Sequence, residues 1–133
     1  MSEEKKYEVL IVDDDEFLLN LFSLKFQKSG FDVHTVTSSE DALRKLKEGL
    51  VPDAMVVDII MPGVDGFELV ERIRHEKLAP KAALIFLTNQ STSADIERAK
   101  RLGAKGYIVK AATIPSEVFN EVKKCITGMG AKL

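Results

Sequence analysis

The sequence contains little of what several kinds of functional site require. Cys125 is the only cysteine, which excludes an internal disulfide and a metal cage built from thiolates. It falls in an apolar helical stripe with Val118 and Val122, so we expect a small buried side chain rather than a reactive thiol. The two histidines, His34 and His75, have no partner at ligand spacing, and we expect both at the surface.

Long apolar runs and an excess of one charge are also missing. The longest apolar stretch spans residues 82–87, far short of the about 18 residues that cross a bilayer. Residues 1–6 lack the character of a signal peptide. The 19 basic and 21 acidic residues leave a net charge of −2, which favours neither nucleic acid nor a membrane as a partner. We therefore expect a cytoplasmic protein.

The length of 133 residues is that of one domain, and 45% hydrophobic and 30% charged residues are ordinary values for a soluble globular protein. A second folded domain does not fit in this length. We expect a single domain over residues 1–133, with its core at about 7–127 between a short polar N-terminal arm and a C-terminal tail.

Short apolar runs alternate with amphipathic stretches five times along the chain. Continuous apolar runs are typical of strands buried on both faces, and their alternation with helices predicts parallel pairing. The predicted strands cover residues 7–12, 32–36, 53–57, 82–87 and 106–109. The pattern thus predicts an α/β fold with a doubly wound, five-stranded parallel sheet, a flavodoxin-like (βα)5 three-layer sandwich.

The segments between the strands carry helix signals. The apolar side of the first helix is predicted from Phe17, Leu18, Leu21, Phe22 and Leu24. Asp15, Ser38 and Asp65 are suited to cap the first three helices, and for Asp15 this role is favoured over metal binding. The fourth helix is predicted at about 93–102, and the fifth begins near Pro115.

Acidic residues follow two of the predicted strands. Asp13 and Asp14 come directly after the first apolar run, and Asp58 follows the third. Parallel strands end at the same edge of a sheet, so these carboxylates are expected to converge. Carboxylates about 4 Å apart repel by about 4 kcal/mol at an effective dielectric near 20, and such a cluster needs a cation or a shared proton. Thr88 and Lys110 end two further strands, which predicts a polar site with a divalent metal at this edge.

Four motifs carry a resemblance that covers essentially the whole chain. They are IVDDD at 11–15, VDIIMPGVDG at 57–66, LT at 87–88 and GYIVK at 106–110. In this order and spacing the sequence resembles the receiver domain of two-component response regulators, of the single-domain type that is similar to chemotaxis regulators. The resemblance implies a signalling switch that is controlled by phosphorylation.

The resemblance also implies a role for each acid. Asp58 would be the phosphoryl acceptor. Asp14 and Asp58 would bind Mg²⁺ directly, together with the backbone carbonyl of Ile60, and Asp13 would act through a coordinated water. Mg²⁺ prefers oxygen ligands, keeps several waters and is often completed by phosphate, which agrees with this assignment.

Three other residues receive roles from the same resemblance. Lys110 would supply a positive charge to the phosphoryl oxygens, and the Thr88 hydroxyl would donate a hydrogen bond to them. Tyr107 would be the switch residue, moving between outward and inward rotamers as Thr88 engages the phosphoryl group.

The sequence departs from the family pattern after the lysine, where proline is usual. Ala111 and Ala112 follow Lys110 here. A cis bond before a residue other than proline costs about 2.5–4 kcal/mol, and the surrounding site would have to hold it. We expect the Lys110–Ala111 bond to be cis, as the family pattern implies.

Two positions that tune phosphoryl lifetime in the family are also distinctive. Ile60 offers no polar side chain to orient a hydrolytic water, and Asn89 is bulkier than the small residue often found there, although Gln90 could help to place a water. These residues predict a comparatively long-lived phosphoaspartate.

Three classes of function compete. In the first, a sensor histidine kinase phosphorylates Asp58, and the signal leaves by protein contact through the face of helix four, strand five and helix five, as a monomer or a phosphorylation-dependent homodimer. This protein would catalyse only its own phosphorylation and dephosphorylation. The second is a Mg²⁺-dependent phosphohydrolase with an aspartyl-phosphate intermediate. The third, a flavin or nucleotide binder, is disfavoured because the first strand opens onto carboxylates rather than a glycine-rich phosphate cradle.

Overall fold

The computed structural model describes residues 6–128. The strands are β1 (Glu8–Val12), β2 (Asp32–Val36), β3 (Ala54–Val57), β4 (Ala83–Thr88) and β5 (Gly106–Val109). The helices are α1 (Glu16–Lys28), α2 (Ser39–Lys47), α3 (Gly66–His75), α4 (Ser93–Arg101) and α5 (Pro115–Thr127), with a 3₁₀ turn at Lys110–Ala112. All neighbouring strands pair in parallel in the order β2-β1-β3-β4-β5, which confirms the predicted doubly wound fold.

Hydrophobic cores lie on both faces of the sheet. Successive strand residues point to opposite faces, so Leu10 of β1 packs in the core with α2 and α3, whereas Ile11 packs in the core with α1 and α5. The strands β3 and β4 are buried along their whole length, which explains why their sequences are continuously apolar. No helix within residues 6–128 has both the length and the apolar content to cross a membrane.

The predicted helix caps are confirmed. The side chains of Asp15, Ser38 and Asp65 each accept a hydrogen bond from the backbone N–H three residues on, at 3.1, 3.2 and 2.9 Å. Thr92 caps α4 in the same way. Cys125 is buried as expected, and burial, followed by the charge of Glu121, raises the pKa of its thiol.

The prediction for the apolar side of α1 is right for Phe22, which is buried, and for Leu18, which packs against the core, but it is wrong for Phe17, Leu21 and Leu24. Leu19, Phe22 and Phe26 face the core, while Phe17 is 72% exposed and Leu24 is 56% exposed. The helix is apolar on more than one side, so its apolar content did not determine which side faces the sheet. Phe17, Leu21 and Leu24, spaced four and three residues apart, form a separate apolar row at the surface, which we call the α1 stripe.

The prediction that His34 has no partner at ligand spacing is also wrong, whereas His75 is exposed as expected. His34 is half-buried, and its Nε2 lies 3.9 Å from a Glu8 oxygen and 4.0 Å from an Asp32 oxygen. Parallel pairing of β1 with β2 sets Glu8 opposite Asp32, two residues before His34. This neighbour comes from strand pairing, which spacing along the chain does not reveal.

Candidate functional site

The carboxyl ends of β1, β3, β4 and β5 bring the predicted site residues to one edge of the sheet. Val12 pairs with Val57, and the Asp58 N–H donates to the Val12 carbonyl at 2.9 Å, so Asp13 and Asp58 emerge side by side. Thr88 is the last residue of β4, and Lys110 directly follows β5. The predicted convergence is confirmed.

Asp13, Asp14 and Asp58 each offer an oxygen within 4.8 Å of the other two. Asp13 and Asp58 are buried, whereas Asp14 is exposed. Backbone groups orient the two buried carboxylates in the same way, since each accepts a hydrogen bond from the N–H two residues on. The N–H of Asp15 lies 2.9 Å from Asp13 Oδ1, and that of Ile60 lies 3.3 Å from Asp58 Oδ1.

Lys110 bridges the other oxygens of the two buried carboxylates. Its Nζ lies 2.6 Å from Asp13 Oδ2 and 2.9 Å from Asp58 Oδ2, and its side chain is only 15% exposed. Burial lowers the pKa of Lys110, but the hydrogen bonds and negative charges of Asp13 and Asp58 outweigh it, so the pKa is raised above its ordinary value. The ammonium is therefore charged throughout the neutral range.

The surroundings that favour the charged form of Lys110 disfavour the charged form of Asp13. Burial raises the pKa of Asp13 above its ordinary value, and the negative charge of Asp58 adds to this. The hydrogen bonds from Lys110 and from the Asp15 N–H lower the pKa but do not cancel the effect of burial. Ionised Asp13 is thus under-compensated by protein groups alone, which favours binding of a cation beside it.

This donor set fits Mg²⁺. Three carboxylates converge, and the exposed Asp14 leaves the cluster open to solvent and to a phosphoryl donor. Ile60 lies in the loop after Asp58, where its N–H donates a hydrogen bond to the Asp58 carboxylate. Its backbone carbonyl as a metal ligand stays a prediction, as do the individual metal-binding roles of the three acids.

Thr88 and Tyr107 are joined through the loop that follows β4. The Thr88 hydroxyl oxygen is buried and accepts a hydrogen bond from the Gln90 N–H at 3.3 Å. The Tyr107 hydroxyl donates to the Gln90 carbonyl at 2.5 Å. Burial, and then the charge of Asp95, raises the pKa of Tyr107. Gln90 is therefore the link between the predicted switch residues, and its backbone role was not visible in the sequence.

The prediction of a cis Lys110–Ala111 bond is wrong, because no peptide bond within residues 6–128 is cis. Without proline, the cis form has a cost of about 2.5–4 kcal/mol and no ring to reduce it. The chain instead forms the 3₁₀ turn, and the Ala111 N–H, a donor that proline would lack, hydrogen-bonds to Asn89 Oδ1 at 2.9 Å.

Gly66 is a second feature that sequence reasoning missed, since a turn and helix start explained it sufficiently. A Cβ at this position would collide with the backbone carbonyl of Asp58, and the Gly66 N–H donates to the Ile59 carbonyl at 2.8 Å. Only glycine lets the start of α3 lie directly against the backbone of the predicted acceptor.

Comparison with known proteins gives a consistent family. Residues 9–122 match the response regulator receiver domain. The chain is 35% identical over 115 residues to the alkaline phosphatase synthesis transcriptional regulatory protein PhoP of Bacillus subtilis, covering 86% of this chain and 46% of that protein. It is 35% identical over 102 residues to the transcriptional regulatory protein AfsQ1 of Streptomyces coelicolor, covering 77% and 44%. The chain thus spans about half the length of these curated relatives or less.

Solved structures show the same fold. The chemotaxis protein CheY4 of Vibrio cholerae superposes with a TM-score of 0.83 at 26% identity, covering 91% of this chain and 99% of that one. The response regulator DrrB of Thermotoga maritima, an OmpR/PhoB homologue, superposes with a TM-score of 0.80 at 25% identity, covering 95% and 55%. With the acids, threonine and lysine gathered at one sheet edge and the family match running from β1 into α5, this chain belongs to the response regulator receiver domains.

Proposed function

We propose that this chain is a Mg²⁺-dependent, phosphorylation-controlled switch in which Asp58 accepts a phosphoryl group from a sensor histidine kinase. The observation that carries the proposal is the position of Asp58, whose two oxygens are held by the Ile60 N–H and by Lys110 beside two further carboxylates. An oriented carboxylate next to a fixed ammonium is suited to attack phosphorus and to have its product stabilised.

Each residue of the site has a separate role in the proposed phosphoryl transfer. Asp58 supplies the attacking oxygen, and the bond from phosphorus to the kinase's histidine breaks as the new bond forms. Asp13, Asp14 and Asp58 would hold Mg²⁺, which would neutralise negative charge on the phosphoryl oxygens. Lys110 is already within 2.9 Å of Asp58 and needs only a small movement to contact a phosphoryl oxygen.

The signal then leaves the site through Gln90. A turn of the Thr88 side chain towards a phosphoryl oxygen on Asp58 would weaken the 3.3 Å hydrogen bond that its hydroxyl oxygen accepts from the Gln90 N–H. The Gln90 carbonyl holds the Tyr107 hydroxyl, so a shift of this loop releases or redirects the tyrosine. The affected surface is formed by α4, β5 and α5, where we place contacts with a downstream protein or with a second copy of the chain.

The α1 stripe is suited to the kinase. It starts two residues after Asp15, directly beside the acids, and Ile60 and Ile114 are exposed as well. An apolar helix face can pack against another helix and hold a phosphohistidine over Asp58. We therefore propose that the kinase docks on the α1 stripe. The downstream partner would instead contact the surface of α4, β5 and α5.

The remaining expectations complete the proposal. Residues 7–127 act as one folded unit in the cytoplasm, and neither nucleic acid nor a membrane is a direct partner. Membership of the receiver family does not favour the alternative of a Mg²⁺-dependent phosphohydrolase.

Intact mass after incubation with acetyl phosphate, with and without Mg²⁺, tests the proposal. We expect a Mg²⁺-dependent gain of one phosphoryl group that is absent in Asp58→Asn. Asp32→Asn is the matched control, since Asp32 begins β2 at the opposite edge of the sheet, and it should gain the group normally. A gain that persists in Asp58→Asn, or no gain in the unaltered protein, would contradict the assignment.

A further inference from the structure

A second group of metal-binding side chains lies at the opposite edge of the sheet. Glu8, Asp32 and His34 each offer a ligand atom within 4.8 Å of the other two. Glu8 pairs with Asp32 in the parallel register, and His34 lies two residues along β2. Asp32 and His34 therefore point to the same face of the sheet. Asp13 is five residue steps along the chain from Glu8, about 16 Å at 3.3 Å per residue.

The Nε2 atom of His34 faces two carboxylates without a hydrogen bond to either. The atom is shielded from solvent, and within residues 6–128 it makes no hydrogen bond. The nearest carboxylate oxygens, at 3.9 Å on Glu8 and 4.0 Å on Asp32, are beyond hydrogen-bond distance. Buried polar nitrogens are rarely left unsatisfied, so this atom is available to bind a cation between the three side chains.

The donor atoms of Glu8, Asp32 and His34 determine which metal ion fits between them. A neutral imidazole and two carboxylates bind Zn²⁺ at about 2.0–2.2 Å, which corresponds to donors about 3.4 Å apart in a tetrahedral site. The observed separations of 3.9 and 4.0 Å need only a small closure of exposed Glu8 and Asp32 side chains. Imidazole is a ligand for zinc, copper and nickel, whereas Mg²⁺ takes oxygen ligands.

The surroundings allow a cation to bind. The side chains of Glu8 and Asp32 are partly exposed, which provides an entry path. Lys45 of α2 and Glu48, which directly follows this helix, line the cavity beside His34 and carry opposite charges, so together they add no net charge there. We propose that Glu8, Asp32 and His34 form a site for a divalent transition metal, with zinc the best match, which cross-links β1 to β2 away from the phosphorylation edge.

Isothermal titration with ZnCl₂ on the tag-free full chain tests the proposal, in excess Mg²⁺ so that the aspartate edge is occupied. We expect one Zn²⁺ per chain, with affinity reduced at least tenfold in His34→Gln and in Glu8→Gln. His75→Gln removes the exposed histidine, and Asp14→Asn weakens the aspartate edge. His75→Gln is the control that should bind Zn²⁺ as the unaltered chain does, whereas Asp14→Asn reports any Zn²⁺ that is held at the aspartate edge.

Thermal unfolding gives an independent readout, because a ligand that binds only the folded state raises the melting temperature. Zn²⁺ should raise it by several degrees in the unaltered chain and in His75→Gln, but not in His34→Gln, whose circular dichroism should show the same fold. Equal zinc binding in His34→Gln, or binding lost only in Asp14→Asn, would overturn the proposal. A melting temperature of the unaltered chain that Zn²⁺ does not change would also overturn it.

Discussion

The Asn89 side chain accepts a hydrogen bond from the Ala111 N–H at 2.9 Å, and this contact joins the loop after Thr88 to the turn that carries Lys110. The two residues are 22 positions apart, and each directly follows a predicted phosphoryl-contacting residue. The contact therefore couples the position of the threonine to that of the lysine.

Removing this contact should slow phosphorylation. Asn89→Ala deletes the acceptor and Ala111→Pro deletes the donor, so either change should reduce stability by about 1 kcal/mol and slow the Mg²⁺-dependent mass gain several-fold. Because both remove the same hydrogen bond, the double variant should be no worse than the more affected single variant. Fully additive losses in urea unfolding and phosphorylation rate would count against the coupling.

Asp13→Asn should stabilise the metal-free protein at neutral pH. Its raised pKa means that the fold favours the protonated form, so the unaltered chain loses stability as the pH rises above the ordinary value of 3.8 and through the raised folded-state value. We expect Asp13→Asn to melt a few degrees higher in EDTA at pH 7, with the difference shrinking towards pH 4.

Two controls define that result. Mg²⁺ at pH 7 should stabilise the unaltered chain and so reduce the difference in melting temperature between it and Asp13→Asn. Asp14→Asn should change the metal-free melting temperature little, because Asp14 is exposed. A melting temperature of Asp13→Asn at or below that of the unaltered chain in EDTA would contradict the role of burial.

Gly66→Ala should strongly destabilise the fold and slow phosphorylation. The new methyl group would meet the Asp58 backbone, which cannot rotate away, so we expect at least 1–3 kcal/mol lost in urea unfolding together with slower phosphorylation. Gly63→Ala is the matched control in the same loop. Its φ of +79° causes strain of about 1–2 kcal/mol, but its Cβ would meet no atom within 4 Å, so phosphorylation should persist. Similar phosphorylation rates in both variants would contradict the contact.

Ile60→Asn should shorten the lifetime of the phosphoryl group. Ile60 is 54% exposed beside Asp58, and an amide there could orient a water towards phosphorus, which the isoleucine cannot do. We expect faster loss of the phosphoryl mass from Ile60→Asn than from the unaltered chain. Ile114→Asn, at another exposed apolar position, should leave the rate unchanged. Slower loss in Ile60→Asn would refute the predicted long lifetime.

The sequence predicted the fold well where a local signal decides the structure. Buried parallel strands are continuous apolar runs, so every strand lies within two residues of its predicted bounds, and Asp15, Ser38 and Asp65 cap helices as their side-chain chemistry requires. The gathering of the acids followed from parallel topology alone, because Asp13 and Asp58 end adjacent strands.

The features that sequence reasoning missed depend on contacts between distant segments. The buried side of α1 was ambiguous because the helix is apolar on several sides. His34 meets Glu8 through the pairing of β1 with β2, and Ala111 meets Asn89 across two loops. The trans bond after Lys110 follows from the absence of proline, where the general cost of a cis bond was a better guide than the family pattern.

The bridge that Lys110 makes between Asp13 and Asp58 has a consequence for the order of events at this edge. Three carboxylates and one ammonium carry a net charge of about −2, which repels a phosphoryl donor. A divalent cation brings the edge to neutrality, and a phosphoryl group on Asp58 then returns it to about −1. In the proposed function, metal loading would therefore come before phosphorylation, and the surplus negative charge left afterwards would attract the Thr88 hydroxyl and strengthen the ion pair with Lys110.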